Sequence, residues 1–143
     1  MRYLGLDVGQ KFLGIAVGEL LAKELTTISA AKDRDFYSQP EAAYTQLAKI
    51  IEDEGADAIV AGLPVDEDGA PTEESKKIEK FCRGLEDKLN VTVHFVDETL
   101  TSFMAEDMLE SQGLSADEIK KRTHQLSAEL ILQQFLEEHA AGS

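Results

Sequence analysis

Over residues 2–30 apolar side chains fall in short, nearly continuous runs, whereas from residue 40 onward they recur mainly at helical spacing. Residues 2–8 (RYLGLDV), 12–20 (FLGIAVGEL) and 24–30 (ELTTISA) read as strands, and the short gaps between them favour antiparallel hairpins. Pro40 near a first helical position, then Ala43, Leu47, Ile50 and Ile51, then a stop at Gly55, predict a helix. Residues 57–64 (DAIVAGLP) form a short apolar run of the kind found in parallel sheets. Thr72 then caps a second helix with the stripe Ile78, Phe81, Cys82, Leu85 and Leu89. Residues 91–96 predict another strand, ending at Asp97-Glu98. A third helix follows Thr101, carries Ala105, Met108 and Leu109 inward, and ends near Gly113. Ser115-Ala116-Asp117-Glu118 has capping-box spacing and opens a fourth helical stretch, expected to run with a break to Glu138. The order β-β-β-α-β-α-β-α-α predicts an α/β fold. Three antiparallel N-terminal strands followed by βα units give a mixed five-stranded sheet flanked by helices.

Composition narrows the setting. The chain has 143 residues, which fits a single domain over 1–143, and 43% of them are hydrophobic, enough for a core. One cysteine excludes a disulfide framework and a cysteine-rich zinc site, and Cys82 falls on the apolar stripe of its helix. No apolar run is long enough to span a bilayer, and Asp7 interrupts the N-terminus before a signal-peptide core can form. A cytoplasmic protein without a membrane partner is the expectation. With 28 acidic against 14 basic residues the net charge is −14, so the overall field repels nucleic acid. A polyanion ligand then needs local basic patches or bound cations.

Against that background a few polar residues stand out. Asp7 ends an apolar strand, where an unpaired charge is costly, so it serves either an Asx-turn through Gly9 or a metal held on a rigid strand. Asp97 and Glu98 point to opposite faces of their strand, so only one of them can share a site with Asp7. Their simpler role is to complement the dipole of a following helix. His124 lies on the apolar side of the last helix with Ala128, Ile131 and Phe135, as a hydrogen-bonded core residue or a ligand. His94 and His139 carry no functional pattern. Lys76, Lys80 and Arg83 at i, i+4 and i+7 make one basic stripe on an otherwise acidic surface.

Four segments together resemble one family. Asp7-Val8-Gly9-Gln10-Lys11-Phe12-Leu13-Gly14-Ile15-Ala16-Val17 resembles the opening motif of the YqgF family, relatives of RuvC-type Holliday junction resolvases. Val60-Ala61-Gly62-Leu63-Pro64-Val65 with Asp68-Gly69, then Val96-Asp97-Glu98-Thr99-Leu100-Thr101-Ser102, then residues 120–133, are similar to its later motifs, in family order.

The resemblance implies a ribonuclease H-like fold and a metal-dependent phosphodiesterase, associated with maturation of the 5′ end of pre-16S ribosomal RNA and with Holliday junction resolution. It matches Asp7 to the first catalytic and metal-binding carboxylate, Glu98 to the second, and His124 to the third acidic position. The chain departs from the family at Phe12, where a basic residue is usual, at Thr99, where arginine is expected, and at His124. A histidine ligand suits Mn²⁺ better than Mg²⁺, and either ion is the implied cofactor. Lys11, Lys76, Lys80, Arg83, Lys120, Lys121 and Arg122 would track a nucleic-acid backbone, RNA ahead of DNA, in a monomer or weak homodimer. A ribosomal precursor particle is the implied setting. Three alternatives stay open: a DNA junction nuclease, a non-catalytic module in ribosome assembly, and an actin or sugar-kinase type phosphate loop at Asp7-x-Gly9 with Gly14. The last lacks a second such loop in this chain.

Overall fold

The computed structural model describes residues 1–98, 107–110 and 112–141, with the side chains of 117, 120, 121, 140 and 141 outside the description. β1 (Tyr3–Val8), β2 (Phe12–Gly18) and β3 (Ala22–Ser29) pair antiparallel in succession. β4 (Ala58–Pro64) joins the other edge of β1 in parallel, and β5 (Val93–Glu98) joins β4 in parallel. The sheet order is therefore β3-β2-β1-β4-β5. The mixed sheet expected from the alternation of runs is what forms, with β1 at its centre and all six of its residues buried.

The helix boundaries follow local chemistry. α1 (Glu41–Glu54) starts after Pro40 and ends where Gly55 takes a left-handed φ of 64°, a conformation glycine adopts without steric cost. α2 (Glu73–Leu89) begins with a capping box: Ser75 N–H donates to Thr72 Oγ1 at 3.1 Å and Thr72 N–H donates to Ser75 Oγ at 2.7 Å. α3 spans Ala116–Ala141 without the expected break. It stays continuous because Ala128, Ile131, Leu132, Phe135 and Leu136 keep one buried face on the sheet along its length. Thr101 and Ala105 of the expected third helix lie outside the described residues. Residues 107–110 are helical, and Leu109 packs with Leu126 of α3 as expected. Met108 does not point inward: it is 43% exposed, one residue off the buried position.

Strand alternation sends the two faces of the sheet to different partners. Leu4, Leu6, Val8, Leu13, Ile15 and Ile59 pack against α1 and α2 through Ala43, Leu47, Ile78, Phe81 and Leu85. Tyr3, Ala16, Ala58, Val60 and Val96 face α3. On that second face glycines replace larger residues directly under the helix. A Cβ on Gly14 would stand 2.0 Å from the backbone carbonyl of His124, and one on Gly5 would stand 2.7 Å from the carbonyl oxygen of Ala128. α3 thus rests on bare strand backbone. Among the described residues no helix is long and apolar enough to cross a membrane.

Two outcomes follow. Gly14→Ala has no space for its methyl group without lifting α3, so urea denaturation should show a loss of at least about 2 kcal/mol, within the range of overpacked cores. The second concerns Glu86 of α2. It accepts from the Val93 N–H at the start of β5 and from Arg83, which together hold its carboxyl below the usual range. A carboxyl lowered by folding stabilises above its unfolded pKa, and the contribution disappears as pH falls through the folded value. Glu86→Gln should therefore lower Tm at neutral pH, with the gap to the parent closing in acid.

Candidate active site

Asp7 is near the end of β1, directly across from Gly14 of β2. It belongs to the face that carries Tyr3 and Gly5, so its side chain lies on the α3 side and is only 6% exposed. Because Gly14 has no side chain, the His124 backbone settles over it, and the imidazole comes alongside the carboxylate. His124 Nδ1 is 3.0 Å from Asp7 Oδ2. An ionised carboxylate only accepts, so Nδ1 of the ring is the donor in this bond. Phe12, the first residue of β2, stacks on that ring, with centroids 5.5 Å apart and planes 27° from parallel. Gly9 completes the enclosure, since a Cβ there would stand 3.0 Å from His124 Cε1.

Glu98 closes β5 and is 9% exposed. Alternation along β5 puts Val96 and Glu98 on the α3 face and Asp97 on the other. Of the adjacent acidic pair, Glu98 is thus the one that shares a face with Asp7. Its Oε2 lies over Gly62 of β4, 3.0 Å from where a Cβ of that residue would be. β4 lies between β1 and β5, which sets the two carboxylate-bearing strands about 10 Å apart. Asp7 and His124 meet; Glu98 stands across the intervening strand. Among the described residues no three His, Cys, Asp or Glu side chains are grouped closely enough to hold a metal ion.

The donor chemistry nonetheless fits a hard divalent cation. Two buried carboxylates share one face, and among the described residues the ion-pair partner of Asp7 is an imidazole rather than a lysine or arginine. His124 already commits Nδ1 to Asp7, so any ligation from the ring would use Nε2, with Asp7 as the orienting partner.

The basic residues singled out by sequence are placed less uniformly. Lys11 Nζ donates to the Arg34 carbonyl oxygen. Lys76 pairs with Glu73 at 3.3 Å, and Arg83 pairs with Glu86 at 2.7 Å and Glu79 at 3.9 Å. Arg122 is held by Glu24 of β3 at 3.1 Å. Lys80 has no carboxylate partner among the described residues and faces a groove shared with Lys77. The side chains of Lys120 and Lys121 lie outside the described residues, as does Thr99. Phe12 and Lys77 are the neighbours that sequence reasoning missed. Phe12 looked only like a lost basic residue, and Lys77 fell between the steps of the i, i+4, i+7 stripe.

A family model described as RuvX, Holliday junction resolvase, matches residues 1–138. The chain belongs to the RuvX family. The motifs that resembled YqgF point to this same family, and its members are nucleases, hydrolases of phosphodiester bonds. The chain is 36% identical over 137 residues to a Chloroflexus aggregans protein named "Putative pre-16S rRNA nuclease", covering 94% of this chain and 92% of that protein. A Pseudomonas putida protein of the same name is 37% identical over 138 residues, covering 94% and 93%. Among solved structures, Thermus thermophilus RuvC in complex with a Holliday junction substrate superposes with a TM-score of 0.67 at 16% identity, covering 100% of this chain and 97% of that one. The fowlpox virus Holliday junction resolvase gives 0.57 at 13% identity, covering 96% and 99%. These likenesses establish the ribonuclease H-like fold. In this RuvX chain Asp7 and Glu98 are buried on the α3 face of the sheet, and Phe12 and His124, two positions singled out along the sequence, form one stacked pair.

The Asp7–His124 bond is open to a double-mutant cycle. Asp7→Ala, His124→Ala and the double variant should show a coupling of about 1.5–3 kcal/mol in urea denaturation, as hydrogen bonds to charged groups do. A coupling near zero would show that the pair does not form in solution.

Proposed function

We propose that the whole chain acts as one ribonuclease H-like domain, a divalent-metal-dependent endonuclease that trims the 5′ end of pre-16S ribosomal RNA in the cytoplasm. The observation that carries this is the placement of Asp7 and Glu98 on one face of the sheet, near the carboxyl ends of β1 and β5. Membership of RuvX and the names of the relatives support it. The non-catalytic alternative would gain from a missing carboxylate, and both are present.

Asp7 and Glu98 would hold Mg²⁺ or Mn²⁺, with His124 contributing Nε2 or acting only through Asp7. When bound, such an ion lowers the pKa of an attacking water and offsets charge on the scissile phosphate. The chain's own residues do the rest. His124 donates to Asp7 and fixes the direction of its carboxylate; Phe12 restrains the ring; α3 shields the site on one side. A nitrogen donor beside the oxygen set favours Mn²⁺ over Mg²⁺. The substrate in this reading is RNA, ahead of DNA, on a ribosomal precursor particle, and the protein acts as a monomer or weak homodimer.

Asp7→Asn and Glu98→Gln should each reduce Mn²⁺-dependent cleavage of a pre-16S 5′-leader RNA to background, and EDTA should do the same to the parent. Cleavage that survives the double substitution would overturn the site. Preferential cutting of a four-way DNA junction by a dimer would replace the RNA reading with junction resolution.

A further inference from the structure

The turn that follows Asp7 has a second side. Gln10 leads away from the carboxylate face, and its carbonyl oxygen accepts from the Phe36 N–H at 2.9 Å, anchoring the loop between β3 and α1. Between that loop and α2 runs an open groove of about 360 Å³, lined by Gln10, Asp35, Tyr37, Ser38, Lys77 and Lys80. The two lysines sit at i and i+3 on one side of the helix. Neither pairs with a carboxylate among the described residues, in contrast to Lys76 and Arg83 on the same helix.

The acids nearby are committed elsewhere. Asp35 accepts from the backbone N–H groups of Tyr37 and Ser38, each at 2.9 Å, and from the Ser38 hydroxyl. Glu74 accepts from the Tyr37 hydroxyl. Lys77 Nζ lies over the Tyr37 ring, 5.9 Å from its centroid. Burial, then the hydrogen bond to Glu74, raise the Tyr37 hydroxyl above its ordinary value. What remains available is two ammonium groups and the Gln10 amide, whose N–H groups can all donate to a phosphate oxygen.

We infer that the Gln10–Lys77–Lys80 groove is a phosphate-binding subsite that holds the sugar–phosphate backbone of a nucleic-acid strand where it leaves the Asp7 face across the end of the sheet. It deepens the proposed nuclease reading and rests on it for the choice of ligand. Lysine contacts to phosphate carry no sequence information, so the groove sets the strand's path rather than its identity. With Asp35 and Glu74 close by, the local charge is near balance, and the groove works by short-range contact rather than long-range steering.

The test is anisotropy of a short fluorescein-labelled single-stranded RNA, titrated with the full chain in EDTA over a series of salt concentrations. Each phosphate contact contributes about 0.7 to the slope of log K against log salt on a single strand. Lys77→Ala/Lys80→Ala should weaken binding and lower that slope by about 1.4, while Lys77→Arg/Lys80→Arg should retain it. Lys49→Ala/Lys88→Ala removes the same charge away from the groove and should leave the slope at the parent value. An unchanged slope in the Lys77/Lys80 alanine variant, an equal fall in the Lys49/Lys88 control, or no RNA binding by the parent would each overturn the subsite. Because the titration contains no metal, a parent that binds with the expected slopes but fails to cleave in a separate Mn²⁺ assay would count against the nuclease reading alone.

Discussion

The seating of α3 on the glycines of the sheet is the contact on which the other features rest. At Gly14 the helix backbone occupies the volume that any Cβ would need, and at Gly5 and Gly62 side chains and carbonyls of the same helix press against the strands. This brings the helix axis close enough for His124, one turn before Ala128, to reach a carboxylate on β1. A larger residue at 14 would leave Asp7 buried without the imidazole beside it, at the cost carried by an uncompensated buried charge. Packing and site chemistry are therefore one constraint, read from the same backbone approach.

Charge is distributed with similar economy. The net −14 is expressed partly as salt bridges that consume basic residues: Glu73 on Lys76, Glu79 and Glu86 on Arg83, Glu24 on Arg122. Exposed pairs of this kind add little stability, but they decide which cations remain available to a polyanion. The stripe Lys76, Lys80, Arg83 looked uniform along the helix and is not. Its two ends face acids, and the unpaired position joins Lys77 on the groove side. An acidic protein of this kind would grip its substrate through few contacts near the reacting centre, with the rest of its surface discouraging loose association.

The departures from the expected family pattern are easier to understand in three dimensions than along the chain. Phe12 and His124 are 112 residues apart by numbering, yet they stack. Read singly, one is a lost cation and the other a lost carboxylate. Together they form an aromatic pair whose imidazole meets Asp7, so the residue that the resemblance sets against an acidic position is in contact with the β1 carboxylate.

Short apolar runs and helical stripes were sufficient to order the strands and helices, because burial on two faces and on one face leave different periods in a sequence. The alternation of Asp97 and Glu98 was sufficient to show that only one could join Asp7. The motifs were sufficient for the family. The resemblance had already singled out Glu98, but only tertiary structure could decide that α3 continues unbroken, that Met108 turns outward, and that Lys77 rather than Lys76 or Arg83 accompanies Lys80. Each of those depends on which distant backbone a side chain meets, and a residue such as Gly14 writes that meeting into the chain only as the absence of a side chain.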